Sequence, residues 1–146
     1  MVVGMAPGEL PIGVLVARTA KELDRAFTEH LSAVGGSPAT WQVLSSLQDG
    51  GHRTQGELAA AVGVRSPTLT HHLDGLERAG LVTRERDPAN RRVQRVVLTE
   101  AGAALFVRLR RSAAAFDGRL EAGLDDDEIA LLRRLLAQLV ENSQPD

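Results

Sequence analysis

The chain contains no cysteine. That excludes a disulfide framework and any switch worked by thiol oxidation. No apolar run approaches the ~20 residues of a helical membrane span. The start, MVVGMAPGEL, lacks the charged stretch and apolar segment of a secretory signal, so a cytoplasmic location is expected. Internal repeats, low-complexity tracts and long linkers are also missing. So are a nucleophile elbow, a phosphate-binding loop, a paired-carboxylate signature and a zinc-hydrolase motif, so neither an enzyme nor a cofactor is expected. The four histidines do not supply a metal clamp either. His71 and His72 are adjacent and diverge by roughly 100° on a helix, whereas a clamp needs i, i+4 spacing. His30 and His52 stand alone in the sequence.

At 146 residues the chain is long enough for one domain with a real core. Its net charge of −2 does not by itself suggest a polyanionic partner, but the distribution is uneven. Residues 51–95 carry a net +3 and the remainder −5. Arg84, Arg86, Arg91, Arg92 and Arg95 crowd into one short stretch, which is the focused positive charge that phosphate contact requires.

That stretch closes the most informative run of the chain, residues 54–99. Thr54 and Glu57 have capping-box spacing, and Leu58, Ala59 and Val62 give the helix they begin an apolar face. Gly63 permits a sharp left-handed turn. A second helix is expected from Ser66 as N-cap and Pro67 at the first helical position. Leu69, Leu73, Leu76 and then Ala79 or Gly80 follow at helical spacing, which leaves Thr68, Thr70 and His71 on the other side, and Gly80 ends the helix. His72 is expected to cover the edge of the core. Two strand-compatible runs, 81–86 and 93–98, flank the polar turn Asp87-Pro88-Ala89-Asn90-Arg91-Arg92. Asp74 is expected to form a structural ion pair with Arg84 or Arg86. The expected fold class is mainly α with a small β-wing, a winged helix-turn-helix. In that arrangement one helix enters the DNA major groove while the ribbon reaches the backbone or the minor groove.

The flanks read as helices. One spans residues 9–34, with Val14, Leu15, Leu23, Phe27, Leu31 and Val34 among its apolar positions. Gly35-Gly36 break it, and Ser37-Pro38 cap another that runs through Trp41, Leu44 and Leu47 to Gly50-Gly51. Thr99 caps a long helix with Leu105, Phe106, Leu109, Phe116 and Leu120. Asp125 and Glu128 form a second capping box, and Leu131, Leu132, Leu135, Leu136, Leu139 and Val140 then make a broad apolar stripe. Residues 142–146 are expected to fray.

Several pieces in order carry a family resemblance: Ser66-Pro67-Thr68-Leu69-Thr70, Leu73-Asp74-Gly75-Leu76-Glu77, Gly80-Leu81-Val82, the Asp-Pro wing with paired arginines, and Leu98-Thr99-Glu100-Ala101-Gly102. Residues 54–102 resemble the MarR-type family of bacterial transcriptional regulators, and the flanking helices agree over nearly the whole chain. The resemblance implies a single domain over 1–146. Within it, residues 37–99 form the DNA-binding winged helix-turn-helix, and 9–34 and 100–142 supply dimerisation helices. It implies a homodimer that presents two recognition helices to successive major grooves, ~34 Å apart, on a pseudo-palindrome. It also implies a repressor released by a small-molecule effector, often an anionic aromatic. Arg18, His30 and Trp41 are candidates for the neighbourhood of such a cleft, but core or surface roles suit each at least as well, and no effector residues are assigned.

Roles follow by residue. Ser66, Pro67 and Thr68 open the recognition helix, where amides and hydroxyls meet phosphate. Arg65, just before it, suits the DNA backbone. Thr68, Thr70 and His71 are the base-edge readers, and a threonine methyl also packs on thymine. Arg92 is assigned to the minor groove and Arg91 to phosphate. Asp87 and Asn90 support the wing. The family usually carries an acid in place of Asn90 and arginine in place of His71, so affinity and operator are the properties these departures touch. Two alternatives stay open: a zinc-type metal-responsive regulator of the same fold, and a winged-helix module for protein contact.

Overall fold

The structure is a computed structural model that describes residues 8–50 and 52–145; the side chains of residues 49, 50, 52 and 53 lie outside that description. His52 as an isolated side chain and Gly51 as a helix breaker therefore fall outside it. The chain divides within its fifth helix into two compact units, one ending at Ala113 and one beginning at Ala114.

The first unit opens with α1 (Ile12–Ser32), of which Leu31 is buried among the core residues. The helix unwinds at Val34 and Gly35, and the amide of Gly36 returns to the Leu31 carbonyl at 3.1 Å. A Cβ at Gly36 would run into the end of the buried Leu109 side chain, which would have to shift to admit it. α2 (Pro38–Gly50) is capped as expected, with Ser37 Oγ accepting from the Thr40 amide at 3.1 Å.

The two-stranded ribbon expected from the sequence is present, and a third strand that the sequence did not signal is added to it. β1 (His52–Thr54) pairs antiparallel with β3 (Gln94–Leu98), which in turn pairs with β2 (Val82–Arg86), giving the order β1-β3-β2. Three residues are too few to show an alternating pattern, yet they satisfy the backbone along the second edge of β3.

Thr54 ends β1 and caps α3 (Gln55–Val62). Its Oγ1 accepts from the Glu57 amide at 3.2 Å, and Glu57 Oε2 accepts from the Thr54 amide at 2.8 Å. Gly63 turns the chain at φ 72°. α4 (Ser66–Arg78) then begins one residue earlier than its sequence suggests. Arg65 is the N-cap, with extended backbone and no side-chain cap bond, and Ser66 is already helical. The physical reason lies in Pro67, which has no amide and so removes one of the donors a cap would serve. The inward stripe of α4 is Leu69, Leu73 and Leu76; Ala79 and Gly80 are exposed, against expectation. Gly80, at φ 73°, closes the helix as expected, and the Leu81 amide reaches back to the Leu76 carbonyl at 2.9 Å.

After β3, Thr99 donates to the Gly80 carbonyl at 2.6 Å and accepts from the Gly102 amide at 3.0 Å, which caps α5 (Glu100–Leu120) and ties its start to the end of α4. The core of this unit gathers Leu31, Val43, Leu44, Leu47, Leu58, Leu69, Leu73, Val82, Val96 and Leu109, all essentially inaccessible. Each such leucine contributes about 1.5–3 kcal/mol of burial.

The second unit holds the end of α5 and α6 (Asp126–Asn142). The capping box is present: Asp125 Oδ1 accepts from the Glu128 amide at 2.8 Å, and Glu128 Oε2 from the Asp125 amide at 2.9 Å. α6 buries no residue, and Leu131, Leu132, Leu135, Leu136 and Val140 are exposed. A shallow groove of about 250 Å³ runs between Leu120, Leu124, Ile129, Leu132 and Leu136. Among the described residues no helix is long and apolar enough to cross a membrane.

Candidate nucleic-acid interface

The inward pull of Leu69, Leu73 and Leu76 fixes which side of α4 faces out. Ser66, Pro67, Thr68 and His71 are exposed, as is Arg65 before them, while Thr70 is half-buried and His72 partly covered. The rings of His71 and His72 are tilted, with centroids 6.5 Å apart, and so diverge as adjacent helical positions do.

Thr70 is more committed than the sequence suggests. Its hydroxyl donates to the Ser66 carbonyl at 2.9 Å and accepts from Gln55 Nε2 at 2.6 Å. Gln55 is the first residue of α3 and was not singled out in the sequence. Its only signal was its place directly after the Thr54 cap.

The wing is held from its root. Asp87 is only 8% exposed and accepts from the amides of Ala89 (2.7 Å) and Asn90 (3.3 Å) through Oδ1. Through Oδ2 it pairs with the Arg95 guanidinium at 2.7 Å. The Ala89 amide foremost, then Arg95, and after them the Asn90 amide hold the Asp87 carboxyl below the ordinary aspartate range. Asn90 Oδ1 accepts from the Arg92 amide at 3.2 Å, so the residue that departs from the family's acid fixes backbone rather than side chain. The loop closes with the Val93 amide on the Asn90 carbonyl and the Asp87 amide on the Val93 carbonyl, both at 2.9 Å. Arg91 and Arg92 stand exposed at its tip.

A guanidinium joins wing to helix. Arg84, on β2 and 19% exposed, pairs with Asp74 at 2.6 Å and Glu77 at 3.1 Å on α4. This is the structural ion pair expected of Asp74. The Arg84 hydrogen bond pushes the Glu77 carboxyl down, and Glu77 in turn raises Arg84.

These pieces enclose an open groove of about 490 Å³ lined by Thr54, Gln55, Gly56, Ser66, Arg92, Val93 and Gln94. It brings two expected site residues, Ser66 and Arg92, to one concavity. Thr68 and His71 lie on the exposed side of α4, and Arg91 at the wing tip. Away from this face, Trp41 stacks on Phe106 with ring centroids 5.4 Å apart, and the His30 carbonyl accepts from Ser112 Oγ at 3.3 Å. Among the described residues no group of three or more His, Asp or Glu is placed to hold a metal ion.

The family model that matches residues 37–93 is that of the MarR family. A cysteine-to-serine mutant of MarR from E. coli, complexed with operator DNA, is 30% identical with a TM-score of 0.77 over 89% of this chain and 94% of that one. The chain belongs to the MarR family. The transcriptional repressor CouR, bound to a 23-mer DNA duplex, is likewise 30% identical, with a TM-score of 0.81 over 94% of this chain and 99% of that one. A MarR-family transcriptional regulator from Rhodococcus sp. RHA1 is 27% identical, with a TM-score of 0.73 over 88% and 91%. The mainly α, winged-helix fold with flanking helices is thus that of MarR regulators.

Proposed function

We propose that this MarR-family protein is a sequence-specific regulator, not an enzyme, that binds a pseudo-palindromic duplex as a homodimer. The observation that carries this reading is the braced pair of α4 and the wing. Arg84 ties the two together, with exposed Thr68 and His71 on one and exposed Arg91 and Arg92 on the other. Both solved relatives in complex with DNA support it. In this reading α4 enters the major groove with Thr68, Thr70 and His71 toward base edges, and Arg65, Ser66 and Pro67 along the backbone. Arg92 enters the minor groove, Arg91 meets phosphate, and Asp87 and Asn90 hold the loop that presents them.

The dimer rests on uncovered apolar surface. Ile12, Val14, Leu15 and Leu23 of α1 are exposed, and so, in the second unit, is the leucine stripe of α6. Exposed apolar residues in such number call for a partner, and the flanks 9–34 and 100–142 would supply the interface around the reading unit at 37–99. We read the protein as a repressor. A small-molecule effector, an anionic aromatic in the first instance, would release it by favouring a spacing of the two heads that misfits the operator.

The test is a fluorescence-anisotropy titration on duplex from immediately upstream of its own gene, at near-physiological salt, against unrelated competitor. Nanomolar binding that survives the competitor supports the reading, and the same assay then screens effectors. Weak binding, equal on both duplexes and unimproved on sites selected from a randomised pool, overturns it in favour of a protein-contact module.

A further inference from the structure

The geometry points to Gln55 as a specificity-positioning residue that makes Thr70 read DNA through its methyl group and not through its hydroxyl. This rests on the proposed DNA reading and deepens it.

A threonine hydroxyl has one proton to give and two lone pairs to offer. In this structure the proton goes to the Ser66 carbonyl at 2.9 Å, a back-bond that threonine commonly makes within a helix. That bond alone would be unremarkable, because an incoming base could compete for the proton. The second bond changes the balance. Gln55 Nε2 donates to the same oxygen at 2.6 Å from a different helix, fifteen residues away in sequence. Gln55 is itself fixed, since it follows Thr54, which is paired with Arg95 in the sheet and locked in the α3 capping box. With a donor on its oxygen, the hydroxyl keeps its proton turned toward Ser66.

The consequence for recognition is chemical. In the major groove a hydroxyl that donates would serve purine N7, guanine O6 or thymine O4, whereas a methyl packs on the thymine C5-methyl. Thr70 has no proton left for the first set, and its one remaining lone pair serves only adenine N6 or cytosine N4, a mode that removal of a thymine methyl does not touch. The Thr70 methyl is not engaged by either hydrogen bond, Thr70 keeps part of its surface exposed, and its two partners Gln55 and Ser66 line the open groove with Arg92, at the face where DNA is proposed to lie. The base pair opposite Thr70 is therefore read as thymine by its methyl group, and Gln55 enforces that mode from the neighbouring helix.

The experiment uses the full chain. A site is first selected from a randomised duplex pool, and each thymine in it is then replaced singly by deoxyuridine, which removes only the C5-methyl. For the wild type, one position per half-site loses affinity by about fourfold, the ratio expected for one buried methyl group. Thr70→Ser, which keeps the hydroxyl and loses the methyl, no longer distinguishes thymine from deoxyuridine at that position. Thr70→Val, which keeps a methyl and loses the hydroxyl, still does, whatever its overall affinity. Gln55→Ala relaxes base preference at that one pair and leaves the preference elsewhere in the site intact, which a merely structural role would not do. Discrimination that survives in Thr70→Ser, or vanishes in Thr70→Val, overturns the inference and leaves DNA reading in place. Failure of the wild type to enrich any site overturns both.

Discussion

Asp87 and Arg95 face each other across the root of the wing, 2.7 Å apart, with the carboxylate buried and already holding two amides of the turn. The wing is thus built on one ionised side chain.

Its pH dependence follows from the direction of the shift. The Asp87 carboxyl titrates below its usual value because the Ala89 amide and then Arg95 favour the charged form. A group depressed in the folded state adds stability above its unfolded pKa of about 3.9 and loses it as pH falls through the folded value. The gap in Tm between wild type and Asp87→Asn should stay constant above about pH 5 and narrow below about pH 4. A gap that is indifferent to acid assigns the loss to shape and not to charge.

Arg84 makes a fork that lysine does not reproduce. Because it serves Asp74 and Glu77 at once, Arg84→Lys should keep the charge, lose one of the two partners and lower Tm by about 2–4 °C. Wild-type Tm in this variant, at low salt, contradicts the brace between helix and wing.

Two glycines should respond in opposite ways. A Cβ at Gly102 would run into the Leu81 carbonyl and the Leu98 side chain. Because the first of these is backbone, Gly102→Ala should cost about 1–3 kcal/mol as overpacking. Gly75, within α4, has open space where its Cβ would stand. Gly75→Ala should therefore stabilise by about 0.5–1 kcal/mol, the helix-propensity difference. Urea unfolding of the pair checks both signs.

At the wing tip, Arg92→Ala should weaken operator binding about tenfold and lower the slope of log affinity against log salt by about one. Asn90→Asp should strengthen binding, because a carboxylate keeps the bond to the Arg92 amide and adds charge toward its guanidinium. Anisotropy titrations at several salt concentrations measure both. An unchanged Arg92→Ala removes the residue from the groove.

Much of this molecule was legible in its sequence, for local reasons. Capping boxes at Thr54-Glu57 and Asp125-Glu128, the glycine turns at 63 and 80, and the Asp74 ion pair are all written in residues a few positions apart or in strongly patterned helices. What escaped was set by distance or brevity. β1 exists because β3 offers it an edge, and three residues carry no period of their own. The start of α4 moved by one residue because proline changed what a cap could do. Gln55 is an ordinary polar residue until the fold brings it to Thr70.

Thr54 belongs to two elements at once, closing a strand against Arg95 and opening the helix that carries Gln55. The sheet and the helix-turn-helix therefore share a joint at one residue, and the interval between wing tip and α4 is tied to it. In the proposed dimer an effector would act less inside one head than on the interval between two of them.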